Sequence, residues 1–276
     1  LITELQHTEL SWIQALQSVM RCSFLDNFFI GWNYVDSFAF AIILIPIVWQ
    51  LLGRQKGIRL FYILILSRVV NHALKEYFGM PRPCQVDPSV GLLCFSSYGF
   101  PSGAAQTAMV LAGITFIEYK KALYRIFATI FALFLCFSRI YLGVHYFSDV
   151  LGGLFFGCLL LLVYWKLFPL MEKEWKKAFI LFPIALILIG GKDALLFCFL
   201  TLGVQMGLLI AGKTSSLKKS LSRRWLQATI IILGLFLLSL ASKLPHFIQF
   251  GFGLIMGIWL SFLGERLSAK ILAYKR

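Results

Sequence analysis

Runs of roughly 18–22 apolar residues alternate along this chain with short, basic connections, and a helix of that length crosses the hydrocarbon core of a bilayer. The pattern predicts an all-α fold, a polytopic membrane helix bundle of about nine transmembrane helices. They are expected at about 36–53, 57–78, 102–118, 122–142, 147–167, 177–191, 193–212, 224–242 and 246–264. The sixth segment is the shortest and contains Pro183. Ahead of them, Leu5, Trp12, Ile13, Leu16, Val19 and Met20 recur near helical spacing, with Glu4 and Glu9 elsewhere, which predicts an N-terminal helix lying in the membrane interface. The stretch from Phe24 to Val35 is apolar but short for a span.

Composition supports the membrane assignment. Of 276 residues, 59% are hydrophobic and 14% charged, where a soluble domain carries about 25% charged residues. Mean hydropathy is +0.83. A net charge of +14 would suggest a nucleic-acid partner in a polar chain. Here it is read as a topology signal, and no nucleic acid is expected. With nine spans, 19 of the 26 Lys and Arg fall on one side, in the connections near 54–59, 120–125, 166–177 and 213–224 and in the tail. That side is expected to be cytoplasmic, with the C-terminus on it and the N-terminus opposite. The other side holds Arg21, Lys75, Arg82, Arg139, Lys192 and Lys243, while Arg68 falls inside the second span.

Three of those few outer cations sit in patterned surroundings. "KEYFGMPRP" places six residues between Lys75 and Arg82-Pro83; "FPSGA" follows after a loop; "SRIYLGVHYFSD" carries Ser138-Arg139, His145 and Asp149. All map to one membrane face. Arginine forks match phosphate oxygens and lysine adds a point charge, so the three cations suit an oxyanion. Pro101, Ser102 and Gly103 open an apolar helix whose backbone N–H groups would approach the same anion. His145 and Asp149 are four apart, so the carboxylate can hold the imidazole in one tautomer. Each feature alone has a bland explanation: an interfacial anchor, an ordinary helix start, a histidine bonded to a carbonyl. Their joint order, spacing and sidedness favour chemistry.

Together these segments resemble the three motifs of the type-2 phosphatidic acid phosphatase superfamily, over about residues 36–168. The resemblance implies a phosphatase core of about five helices, flanked by an N-terminal interfacial segment at 1–35 and an additional transmembrane bundle at 169–276. It implies a membrane enzyme that hydrolyses a lipid phosphate monoester or pyrophosphate without metal or other cofactor, through a phosphohistidine on His145 oriented by Asp149. Lys75, Arg82, Ser102, Gly103 and Arg139 would bind the phosphate. The departure is Ala104, where the family carries the histidine that protonates the leaving oxygen. Loss of such a group costs roughly 10²–10⁴ in rate, so the chain is expected to be nearly inactive. It reads either as a His-to-Ala variant of an enzyme or as a non-catalytic lipid-phosphate binding protein or transporter.

Other expectations are coarser. The partners implied are a phosphorylated lipid, the surrounding membrane lipids and, through Gly251, Gly253 and Gly257, a packing surface or a homodimer. The short outer loops resemble bacterial members, implying a bacterial inner membrane, with an endoplasmic-reticulum membrane as the alternative and the site on the non-cytoplasmic face. That compartment is oxidising, so Cys84 and Cys94 are candidates for a bridge. Arg68 shares a helix face with Lys75 but is left outside the site.

Overall fold

A computed structural model describes residues 4–173, 175–190, 194–211, 220–240 and 246–274. Lys192, Lys213, Lys218, Lys219, Lys243, Lys275 and Arg276, counted above, lie outside them. Among the described residues the regular structure is helical, as expected of backbone that must satisfy its own polar groups in lipid. The helices are α1 (Glu4–Met20), α2 (Ser23–Trp32), α3 (Phe38–Ile47), α4 (Arg54–Phe78), α5 (Pro83–Val86), α6 (Gly103–Glu118) and α7 (Ala122–Tyr141). They continue as α8 (Phe147–Lys173), α9 (Trp175–Gly190), α10 (Leu195–Ala211), α11 (Leu221–Ser239), α12 (His246–Ile258) and α13 (Gly264–Tyr274).

The chain is a multi-pass membrane helix bundle, but the expected nine spans are not nine full-length helices. Among the described residues, five stretches are long and apolar enough to cross: Arg54–Val86, Ala122–Tyr141, Phe147–Lys166, Leu221–Ser239 and Phe250–Ile271. A sixth arises if Ser23–Asp36 and Ala39–Leu52 count together. Gly103–Glu118, Leu181–Gly190 and Leu195–Ala211 are apolar but shorter. The start of α6 has a local cause: Ser102 is extended (φ −67°, ψ 116°) and its hydroxyl accepts from the Ala105 N–H, so the helix opens at Gly103, within one residue of the expected 102–118.

The contacts divide the chain into two compact units, residues 1–37 with 70–167, and residues 38–69 with 168–276. In the second unit α10 packs closely on α12. A Cβ on Gly203 would lie 2.1 Å from the Leu254 carbonyl oxygen, and one on Gly257 would lie 2.3 Å from that of Leu200. Gly253 meets Leu196, whereas nothing lies within 4 Å of a Cβ on Gly251. Two of the three glycines considered for a dimer are therefore used within the chain. Gln50 donates to Glu265 at 2.9 Å in the same unit. Arg68 is exposed on α4.

The first unit carries all three motifs. Its core includes Ile13, Val90, Ala105, Ile140, Tyr146 and Val150, and a second cluster of Phe29, Tyr141, Leu142 and Val144. Thus α1 and α2 pack over the ends of α7 and α8. Ile13, read above with the apolar face of α1, points inward with Gln6, Glu9 and Gln17, while Leu5, Trp12 and Val19 stay exposed. The buried edge is polar because protein backbone groups satisfy it: Gln17 Nε2 donates to the carbonyls of Val90 and Tyr141, both at 2.8 Å.

Two constraints hold the loops around the motifs. Cys84 and Cys94 form a disulfide, with Cα atoms 5.8 Å apart. Gly143 has φ +66°, and a Cβ there would sit 2.0 Å from the Val90 carbonyl oxygen. Both the left-handed backbone and the close approach require glycine. Gly143→Ala is expected to destabilise the protein by about 2–4 kcal/mol. A thermal or denaturant unfolding series checks this; an unchanged midpoint would contradict the packing described.

Candidate active site

The three motif segments converge where α4 and α7 end and α6 and α8 begin. Lys75, in the last turn of α4, donates to the carbonyls of Tyr98 and Gly99, the latter at 3.0 Å. Arg82 precedes α5. Its Nε and Nη2 donate to Ser97 O (2.7 Å) and Ser97 Oγ (2.9 Å), and its Nη1 donates to Val144 O at 2.9 Å. The guanidinium also lies 5.3 Å from the centre of the Phe95 ring. Arg139, in the last turn of α7, donates from Nε to Ser138 Oγ (3.1 Å) and from Nη1 to Asn33 Oδ1 (2.7 Å). Its Nη2 is buried without a partner. Lys75, Arg82 and Arg139 are only 8%, 4% and 2% exposed.

His145 sits in the turn between α7 and α8. Its Nδ1 is 3.2 Å from Asp149 Oδ2, and its Nε2 is 3.0 Å from Arg82 Nη1. Arg82 can only donate, so the network assigns the proton to Nδ1 and the lone pair to Nε2. The Tyr146 N–H donates to the same Asp149 oxygen at 3.0 Å, fixing the carboxylate. Burial, followed by the charges of Arg82, Lys75 and Arg139, pushes the His145 pKa well below its ordinary 6.5. An imidazole so placed is neutral at neutral pH, with its lone pair turned toward a cluster of cations.

Ser102 is fully buried, and its backbone N–H donates to Asp149 O at 2.9 Å. That N–H, expected among the anion donors, instead ties the second motif to the third. Gly103 is required by Asn71, whose Oδ1 would lie 2.9 Å from a Cβ there. Ala104 is also fully buried, in a cluster with Ala108 and Leu135 against which Trp32, Phe131, Ala132 and Cys136 pack. Lys75, Arg82, Arg139, His145 and Asp149 are thus brought together and Ser102 is tied to Asp149, while Gly103 faces Asn71 and Ala104 is buried in the apolar cluster.

Sequence reasoning missed several groups that hold these side chains. Asn71 lies one turn before Lys75 on α4 and donates to Pro101 O and Gln106 Oε1, both at 3.2 Å. An asparagine inside an apolar span was the available signal. Glu9 and Gln17 lie in the N-terminal segment read above as an interfacial helix, where Glu9 was placed off the apolar face, and Ser97 and Asn33 lie in segments without a recognisable pattern.

A membrane helix bundle with a histidine–aspartate pair among three buried cations has the chemistry to suit a phosphorylated ligand. Residues 56–172 match the PAP2 superfamily, and the chain carries a domain of that superfamily. It is 32% identical over 113 residues to phosphatidylglycerophosphatase B of Bacillus subtilis (strain 168), covering 38% of this chain and 54% of that protein. It is 30% identical over 139 residues to sphingosine-1-phosphate phosphatase 2 of Homo sapiens, covering 48% and 34%. Similarity to lipid A 1-phosphatase of Rhizobium etli is 30% over 141 residues, covering 46% and 60%. The chain therefore spans only part of the length of these curated relatives. Its fold resembles the crystal structure of a transmembrane PAP2 type phosphatidylglycerolphosphate phosphatase from Bacillus subtilis, at a TM-score of 0.50 and 26% identity, covering 59% of this chain and 85% of that one.

The depressed His145 pKa has a defined sign. The unfolded chain takes up a proton near pH 6.5 while the folded site resists it, so stability from the neutral imidazole is present above that pH and lost as pH falls below it. In protein labelled with 15N-histidine, His145 is expected to remain neutral at pH 6.5. A half-protonated signal there would contradict the site's electrostatics.

Proposed function

We propose that this domain binds the phosphate of a phosphorylated lipid and hydrolyses it, without metal, by nucleophilic catalysis at His145. The observation that carries this reading is His145 itself, with Nδ1 on Asp149 and Nε2 turned to Arg82 amid three buried cations. Lys75, Arg82 and Arg139 would spread over the phosphate oxygens, with Ser102 and Gly103 lining the same anion. The lone pair of Nε2 attacks phosphorus as the P–O bond to the lipid breaks, and the electron pair leaves on the lipid oxygen. Asp149 stabilises the imidazolium that forms. Water then attacks the phosphohistidine, the P–N bond breaks, and the pair returns to Nε2. The relatives named above are phosphatases of phosphorylated lipids, which supports a lipid phosphate monoester or pyrophosphate as substrate.

The departing oxygen needs a proton when it leaves as an alkoxide, and Ala104 cannot supply one. Its neighbours include the apolar Ala108, Leu135, Phe131 and Ala132 beside the Trp32 indole and the Cys136 thiol, and none of these is a histidine or a carboxylic acid. The chain is therefore an enzyme site slowed at one position. The missing proton donor at residue 104 favours a second reading, a protein that holds a lipid phosphate without cleaving it. We further propose that the site faces away from the cytoplasm, on the strength of the 19-to-6 division of Lys and Arg.

Ala104→His is expected to raise metal-independent phosphate release from a lipid phosphate by roughly 10²-fold or more. Inertness of this variant toward phosphatidate, sphingoid phosphates and polyprenyl pyrophosphates would favour the binding role. For topology, a thiol engineered beside Arg82 should react with an impermeant reagent added from outside. Labelling only from the cytoplasmic side would overturn the orientation.

A further inference from the structure

Residues 4–37 lie outside the superfamily match at 56–172 and outside all three motifs, yet their side chains grip the third motif from two directions. Glu9, 3% exposed on the inner edge of α1, accepts from the Ser148 N–H with one carboxylate oxygen (2.7 Å) and from Ser148 Oγ with the other (2.8 Å). Ser148 is in the first turn of α8, immediately before Asp149. N–H groups in that turn have no acceptor within their own helix. Glu9 therefore does from another helix what an N-cap does from its own, with its negative charge at the favourable end of the helix dipole. Two turns along α1, Gln17 ties Val90 to Tyr141. The His145 turn lies between these two anchors.

Asn33, in the short 3-10 turn after α2, takes the other approach. Its Oδ1 accepts from Arg139 Nη1 at 2.7 Å while Ser138 Oγ holds Nε at 3.1 Å. Two fixed nitrogens set the plane of the guanidinium and leave Nη2, buried and without a partner, as the donor available for a ligand oxygen. A guanidinium released from Asn33 could rotate or recruit another acceptor, and its remaining donor would lose its direction.

We propose that Glu9 and Asn33 are positioning residues of the phosphate site: Glu9 sets the first turn of α8, and with it Asp149 and His145, while Asn33 aims Arg139. The proposal rests on the phosphate-site reading above. It makes the N-terminal helices part of the site rather than only a membrane-surface appendage. Neither residue touches the phosphate; each acts through a side chain that does.

The test uses the full chain with Ala104 in place, in detergent micelles. Inorganic phosphate is titrated while the 15N signals of His145 are followed, with the assignment made by His145→Gln. Asn33→Ala is expected to weaken phosphate at least about tenfold, at temperatures well below its unfolding midpoint. Glu9 variants are expected to move the phosphate-free His145 Nδ1 signal in graded fashion, Glu9→Gln less than Glu9→Ala, because glutamine keeps one acceptor for the Ser148 N–H. If Glu9→Ala does not fold, the Gln variant alone must still shift that signal. Variants that lower only the unfolding midpoint, with phosphate affinity and His145 signals unchanged, overturn the proposal and leave both residues as structural. A parent chain that binds no phosphate defeats the phosphate-site reading itself, and the proposal falls with it.

Discussion

The site depends on how three cations are kept out of water without a full set of counter-charges. Removing a charged side chain from solvent costs several kcal/mol unless polar groups replace its hydration. Here backbone carbonyls do much of that work. Tyr98 and Gly99 receive Lys75, and Ser97 and Val144 receive Arg82. Carbonyls satisfy these cations without neutralising them, so net positive charge remains at the place where an anion would bind. Burial first, and then the same positive charge, keeps a proton off His145, so the cations that would attract the anion also favour the neutral nucleophile.

Those carbonyls come from loops, and a loop solvates a cation only if it is held still. The disulfide closes the segment between Cys84 and Cys94, just ahead of Phe95 and Ser97. Gly143 lets the turn before His145 pass against Val90, and the Cys84 N–H bonds to the Gly143 carbonyl at 3.2 Å. Asp149 ties the turn to α6 through the Ser102 N–H. Packing, covalent bridge and glycine thus serve one requirement, which explains why the helix ends around the motifs carry so many polar contacts within so apolar a chain.

Much of this was legible in the sequence because the site chemistry is concentrated in short local patterns. Lys75 with Arg82, Ser102 with Gly103, and Arg139 with His145 and Asp149 stand at recognisable spacings on one membrane face. Apolar run length likewise exposed the helical, membrane-spanning class. The span count was less legible, since Gly103–Glu118, Leu181–Gly190 and Leu195–Ala211 are apolar but shorter than a full crossing, and hydrophobicity alone does not fix how such helices sit in a bilayer. The inward face of α1 mixes the expected Ile13 and Leu16 with Gln6, Glu9 and Gln17, which hydrophobicity alone would place outside. Glu9 and Gln17 are buried because their partners are backbone groups distant in sequence, which no local periodicity encodes. Asn33 and Ser97 were hidden for the same reason. Their roles exist only in the contact with an arginine supplied by another segment.

The central claim is that His145 Nε2 becomes bonded to phosphorus. It is tested most directly by quenching the Ala104→His protein at alkaline pH during turnover of a phosphorus-labelled lipid phosphate and mapping the labelled peptide. The account predicts an alkali-stable, acid-labile phosphate on His145, absent when His145 is replaced by glutamine. Phosphate on another side chain, or continued phosphate release by the His145→Gln protein, would contradict it.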